Sequence, residues 1–221
     1  MSNEDFSNRR PIPARKTGPA IAFARTLAEA GITPNQISLF GMACGVGSGV
    51  VLFLTPHLPG IQWLLLILCP ILVVTRGLCN MFDGMVAVEH GKGSPVGLLY
   101  NELPDRLSDV ALMVGAGYAV SGDPLGGWAA SCMALFVTYV RAAGTMAGAP
   151  PDFGGPMAKQ ERMFSLAACA FYLAVTPASW HPVIGGIGLL GLMLWIIVIG
   201  GAVTSVLRLR RIAAHLMKKG G

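Results

Sequence analysis

Apolar residues gather into six runs along the chain: Gln36–Leu54, Ile61–Asn80, Leu107–Val120, Leu125–Val140, Phe164–Thr176 and Val183–Leu207. A hydrocarbon core of about 30 Å takes roughly 20 apolar residues in a helix, so the pattern predicts six membrane-spanning helices. The third and fifth runs are short and reach that length only when extended through polar residues at one end. Polar side chains drawn into a span are where chemistry is expected. Local signals support the boundaries. Thr33-Pro34-Asn35-Gln36 reads as a capping box with proline at the first helical position, and Ser94-Pro95 as a similar start for the third helix. Gly41, Gly45 and Gly49 recur every four residues, a face on which a second helix can pack closely.

Composition agrees with a chain that lives in lipid. Of the 221 residues, 53% are hydrophobic and only 12% charged, with a mean hydropathy of +0.62. So few charges cannot cover a water-facing surface, which excludes disordered, nucleic-acid-binding and disulfide-rich secreted classes. The five cysteines, Cys44, Cys69, Cys79, Cys132 and Cys169, form no CxxC pair and lie in apolar runs, where cysteine is a small packing residue. The polar opening Ser2-Asn3-Glu4-Asp5 lacks the apolar core of a cleaved leader.

The net charge of +5 is informative through its placement. Thr55–Gly60, Ser121–Pro124 and Pro177–Pro182 hold no Lys or Arg, whereas the alternate loops, span ends and both termini hold them all. The positive-inside rule then puts both termini in the cytoplasm, with an even number of spans. The expected architecture is an all-α integral membrane protein. It has a basic cytoplasmic or interfacial segment over 1–32, a six-helix domain over 33–207 and a basic cytoplasmic tail over 208–221. Arg9–Arg25 with Thr26-Leu27-Ala28 reads as an interfacial helix on anionic lipid or, in its first half, as a disordered basic tail.

The inner ends of the second and third spans carry unusual polarity. Residues three or four apart share a helix face, so Asn80, Asp83, Gly84 and Ala87 form one stripe, and Gly97, Asn101, Asp105 and Asp109 the facing one. Clustered oxygen donors beside small residues suit a hard divalent cation that shares its coordination with phosphates. The bland alternative is a solvated helix end. Acidic residues on one face, with Arg76 and Arg106 a turn away, favour a phosphate-and-metal site. Pro104 removes one backbone donor and leaves the Tyr100 carbonyl free; the bend either aims Asp105 or merely eases packing. His57, His90, His181 and His215 are scattered and take no role, and Trp63, Trp180 and Trp195 read as belt or core residues.

Asn80-x2-Asp83-Gly84-x2-Ala87-Val88-x8-Gly97-x3-Asn101-x3-Asp105 resembles the signature of the CDP-alcohol phosphotransferase (phosphatidyltransferase) family, D-x2-D-G-x2-A-R-x8-G-x3-D-x3-D, with every spacing kept. Thr33–Ser38, Asp105-Arg106-x2-Asp109 and Tyr139–Ala142 are similar to further segments of that family. Asn80 and Asn101 replace its first and third Asp, and Val88 its Arg. Asn keeps an oxygen donor but removes one negative charge at each position.

The resemblance implies transfer of a phosphoalcohol group from a CDP-linked donor, typically CDP-diacylglycerol, to an acceptor hydroxyl with release of CMP. It implies Mg²⁺ or Mn²⁺, one or two ions, held by Asn80, Asp83, Asn101 and Asp105. Asp105 would also be the general base, with Asp109 in a secondary role. Asp83, Gly84, Ala87, Gly97 and Arg76 would meet the nucleotide, Arg76 standing in for the charge missing at Val88. Arg141, Lys159 and Arg162 would line a pocket for an acceptor, which a phosphate would suit, or simply mark the positive side of the membrane. The expected partners are CDP-diacylglycerol or a related CDP-alcohol, an alcohol, the bilayer and a second copy of the chain, with no nucleic acid. The expected location is a bacterial inner membrane, with the site facing the cytoplasm. A catalytically inactive member binding lipid nucleotide or a partner protein is the alternative. A small transporter is a third, disfavoured because no span carries charge at mid-depth.

Overall fold

The computed structural model describes Arg15, residues 17–89 and residues 97–220, apart from the side chains of Val88, Glu89, Leu98, Asn101 and Lys219. The first half of the expected N-terminal helix, the start at Ser94-Pro95, and the side chains of Val88 and Asn101 lie outside the described residues. Among the described residues seven α-helices follow in order: α1 Gly18–Glu29, α2 Pro34–Leu54, α3 Gln62–Glu89, α4 Gly97–Tyr118, α5 Pro124–Met146, α6 Lys159–Val175 and α7 Leu189–Gly220. Of these, α2, α3, α5 and α7 are long and apolar enough to cross a membrane. The other two long elements correspond to the short third and fifth apolar runs: α4 has 22 residues but carries the acidic motif, and α6 has 17.

Local chemistry sets the helix starts. Thr33 and Gln36 form the anticipated capping box: Thr33 Oγ1 accepts from the Gln36 amide at 3.3 Å, and Gln36 Oε1 accepts from the Thr33 amide at 2.9 Å. Asp123 caps α5 by accepting from the Gly126 amide at 3.0 Å, and the same carboxylate oxygen accepts from Trp195 Nε1 at 2.8 Å. Trp195 is therefore a strut between α5 and α7.

The last run does not begin as a helix at Val183. Val183–Ile184 (β1) pairs antiparallel with Ile187–Gly188 (β2), and the connecting Gly185 and Gly186 have φ of 60° and 82°. Two successive left-handed residues make the turn whose twist suits a two-residue hairpin, and they delay helix formation to Leu189. At its other end α7 runs unbroken through the basic residues from Arg208 onward.

α2 lies between α3 and α4, α6 packs on α3, and α5 packs on α4 and α7. The glycine stripe makes this possible. A Cβ on Gly49 would collide with the Ala111 carbonyl, one on Gly45 with Ser108, and one on Gly41 would sit 2.8 Å from Cys79 Cβ. Gly115 of α4 meets the Gly49 backbone in return. Small residues thus bring α2 against both of its neighbours, as expected where lipid supplies no hydrophobic drive for helices to associate.

One apolar core, including Leu66, Val73, Leu112, Leu166 and Leu194, fills the bundle. A second joins α1 to α3 through Ala20, Ala24, Ala28, Met81 and Met85, with the Phe23 and Phe82 rings 4.8 Å apart. Phe40, Ile71, Leu107, Phe136 and Ile199 face outward, while Arg76, Asp83, Asp105, Asp109 and Arg162 are buried. The five cysteines are free.

Candidate active site

Two helices carry the motif and three others complete its surroundings. On α3, Arg76, Asn80, Asp83, Gly84 and Ala87 rise at three- and four-residue steps, and on α4 Gly97, Asn101, Asp105 and Asp109 do the same. Asn80 and Asp105 meet across the two helices, with Asn80 Nδ2 3.5 Å from Asp105 Oδ2. The facing stripes expected from helical periodicity are therefore brought together at these positions.

Asp105 is the hub. Arg76 pairs with its Oδ1, Lys159 from the first turn of α6 donates to its Oδ2, and Arg106 Nη2 lies 3.6 Å from Oδ2. Arg76 is only 2% exposed and its Nε donates to Ser108 Oγ at 3.3 Å. Asp83 stands apart from this knot. Its Oδ2 accepts from Ser38 Oγ of α2 at 2.7 Å, and Arg76 and Lys159 act on it only through space.

One turn deeper on α4, Asp109 Oδ2 accepts from Arg162 Nη2 at 3.2 Å and has Arg106 Nη1 at 3.6 Å. Both Asp109 and Arg162 are 1% exposed. Asp109 Oδ1 and Arg162 Nε have no hydrogen-bond partner among the described residues. Arg162 Nη1 spends its proton on the Met157 carbonyl at 2.8 Å. Arg141, at the same end of α5, makes a two-oxygen contact with Glu102 at 2.8 and 3.0 Å, and its guanidinium lies 5.0 Å above the Phe153 ring. Of the three basic residues expected to line an acceptor pocket, Lys159 thus joins the Asp105 knot, Arg162 braces Asp109, and Arg141 borders the outer rim. Gly84, Ala87 and Gly97, on the two motif-bearing helices, are half-buried.

Some members were not read from the sequence. Ser38 belongs to the segment Thr33–Ser38 but shows its part only through contact with Asp83. Arg106, read from the sequence as a turn away from the acidic stripe, adds contacts that spacing alone does not assign, to Thr138 Oγ1 at 2.6 Å and Glu102 at 3.3 Å, besides its two aspartates. Arg208, placed by sequence at the start of the basic cytoplasmic tail, is 5% exposed and donates to the carbonyls of Gly154 and Val137 at 2.9 and 3.0 Å. The signal was there: Thr204, Ser205 and Arg208 form a polar stripe at helical spacing inside an apolar helix.

Four cationic side chains, Arg76, Arg106, Lys159 and Arg162, surround three carboxylates, Asp83, Asp105 and Asp109. Such a site favours a polyanion. No group of three His, Cys, Asp or Glu converges as a ready metal cage among the described residues. The donor set fits an ion bound by few protein oxygens, with Asp83 and the Asn80 carbonyl, and with a phosphate ligand supplying the rest.

Residues 31–213 match the protein family described as CDP-alcohol phosphatidyltransferase. The chain is 26% identical over 198 residues to a phosphatidylinositol phosphate synthase of Mycobacteroides abscessus, covering 86% of this chain and 81% of that one. It is 30% identical to a phosphatidylinositol phosphate synthase of Streptomyces avermitilis, over 84% of this chain and 74% of that one. Its fold is similar to the crystal structure of the Mycobacterium tuberculosis phosphatidylinositol phosphate synthase with CDP-DAG bound, at a TM-score of 0.68 and 22% identity, covering 87% of this chain and 92% of that one. The same synthase in complex with manganese and citrate gives a TM-score of 0.67 at 23% identity.

Proposed function

The chain belongs to the CDP-alcohol phosphatidyltransferase family, and from that membership we propose that it moves a phosphatidyl group from CDP-diacylglycerol to an alcohol, releasing CMP. The observation that supports this reading is the convergence of Asn80, Asp105, Arg76 and Lys159 at one end of the bundle. Cations that grip a buried carboxylate can turn to the oxygens of an incoming diphosphate.

The chemistry needs a bond made and a bond broken at the phosphorus that carries diacylglycerol. The acceptor oxygen attacks it, the phosphoanhydride oxygen of CMP leaves, and the acceptor's proton goes to Asp105. Lys159 holds the proton-accepting oxygen of Asp105. Phosphate oxygens drawing the ammonium away free that oxygen at the moment the acceptor needs it. Arg76, locked by Ser108, orients the diphosphate from the buried side. A divalent cation, Mg²⁺ or Mn²⁺, held by Asp83 with the oxygens of Asn80 and Asn101, would neutralise charge developing on the leaving diphosphate. Gly84, Ala87 and Gly97 leave room for the nucleotide. Asp109 supports Asp105 from one turn below.

Arg141, with Lys159 and Arg162 behind it, provides the positive rim for the acceptor. A phosphate-bearing alcohol is the substrate class such a rim favours; both relatives named above are phosphatidylinositol phosphate synthases. The chain is an integral membrane protein. The reading adds six crossings by α2–α7, both termini and the site on the cytoplasmic face of a bacterial inner membrane, and a homodimer. The 17 residues of α6 span about 25 Å, close to the hydrocarbon thickness. The donor's acyl chains then stay in lipid while its scissile bond lies at the boundary.

Purified protein supplied with Mg²⁺ or Mn²⁺, CDP-diacylglycerol and a panel of alcohols, among them inositol phosphate and glycerol 3-phosphate, is expected to release CMP. EDTA, Asp83→Ala and Asp105→Ala should each abolish release. Mutants that match wild type would remove the site assignment. Silence of the wild type with every alcohol, alongside tight CDP-diacylglycerol binding, would establish a binding protein instead.

A further inference from the structure

On the transferase reading above, we infer that Arg76 and Lys159 take the place of one divalent cation, so that the site holds a single ion and these two side chains carry the remaining positive charge to the diphosphate. The two oxygens of Asp105 are divided between them, Oδ1 with Arg76 and Oδ2 with Lys159. A magnesium ion bound at either oxygen would stand about 2.1 Å from it, in the space that a guanidinium or ammonium fills. Two monovalent cations carry the charge of one divalent cation, and Arg106, 3.6 Å from Oδ2, is shared with Glu102 and Asp109.

Asn80 is the second mark of this arrangement. Two carboxylates face to face across α3 and α4 would need a cation between them. An amide facing a carboxylate needs none, because Asn80 Nδ2 donates directly to Asp105 Oδ2 at 3.5 Å. With its nitrogen committed there, Asn80 keeps its carbonyl oxygen for a ligand. Asn101, four residues before Asp105, removes a further negative charge.

Asp83 is the contrasting member. No Lys or Arg forms an ion pair with it among the described residues; its Oδ2 is oriented by the Ser38 hydroxyl. It is the carboxylate left for the one ion, three residues from Asn80 on the same face. The two cations differ in freedom. The Arg76 side chain is 2% exposed and Lys159 18%, and a Cβ on Gly45 would lie 3.3 Å from Arg76 Cδ. Arg76 is therefore the fixed half of the substitute, and Lys159 the half that turns from carboxylate to phosphate.

Counting Mn²⁺ by electron paramagnetic resonance tests this without reference to turnover. Wild-type protein with CDP-diacylglycerol in detergent should bind one Mn²⁺ per chain and show no spin-coupled pair. The Asn80→Asp/Asn101→Asp/Lys159→Met variant should bind two, with a coupled spectrum. Lys159→Met alone, which removes no ligand of the remaining ion, should tighten Mn²⁺ binding about tenfold as a neighbouring positive charge is lost. Two ions or none on the wild type would overturn the inference. So would a donor-binding triple variant that keeps one ion, or Lys159→Met affinity within twofold of wild type. CMP release measured on the same samples separates the two readings. Release alongside two bound ions refutes the substitution alone. One bound ion with no release from any alcohol refutes the transferase reading alone.

Discussion

Replacing Arg162 by Met tests the claim that the deeper half of the polar cluster is a structural ion pair. Met keeps most of the side chain's volume and removes its charge. At 3.2 Å and an effective dielectric constant of about 20, the Arg162–Asp109 attraction is roughly 5 kcal/mol before desolvation is counted. Arg106 at 3.6 Å contributes nearly as much, but it is shared with Asp105 and Glu102. Breaking a buried pair from one side costs about 3–5 kcal/mol because the other charge stays buried. With Arg106 still in place, Arg162→Met should lie near the lower end, about 3 kcal/mol. Asp109→Asn keeps the shape of the carboxylate and should cost about 2.5 kcal/mol. The double variant leaves neither charge behind and should cost about 3 kcal/mol, against 5.5 for simple addition, a coupling near 2.5 kcal/mol. Reversible unfolding in mixed micelles of rising SDS fraction, followed by circular dichroism, supplies the four stabilities. A double variant equal to the sum of the singles within about 0.5 kcal/mol would refute the reasoning.

Two further outcomes follow from packing and from the rim. Gly49→Ala should destabilise by about 1–3 kcal/mol, because its Cβ meets the Ala111 backbone and neither helix can yield locally. Gly47→Ala on the same helix meets only Leu72 Cδ1 at 3.6 Å and should be neutral or slightly stabilising. Melting both in detergent tests the pair, and equal shifts would discard the close-approach argument. Arg141→Ala should raise KM for a phosphate-bearing acceptor by at least tenfold while leaving KM for CDP-diacylglycerol within about twofold, since the residue lies at the outer rim with Glu102 and Phe153. Equal rises in both constants would move Arg141 out of the acceptor role.

The parts of this protein that were legible in one dimension are those governed by local or periodic physics. The capping box at Thr33 involves residues three apart and formed as read. The Gly41–Gly45–Gly49 stripe announced a close helix approach, and its partners turned out to be Cys79, Ser108 and Ala111. Asn80 facing Asp105 followed from two helices carrying polar residues every three or four positions. The start of the final helix was misplaced because hydropathy does not distinguish Val183–Gly188 from the helix behind it. The Gly185-Gly186 turn, a backbone signal, decides there.

What escaped the sequence depends on distances through space. That Lys159 would reach Asp105 was set by α6 packing on α3. That Arg208 would be buried among carbonyls was set by α7 lying along α5 and the loop at Gly154. Charge type and helical phase are written residue by residue, so the chain alone determined a lipid-embedded helical bundle with an acidic, asparagine-altered motif at one end. Which cation pairs with which carboxylate is an energy between residues as many as 59 positions apart, and only the folded packing of the chain assigns it.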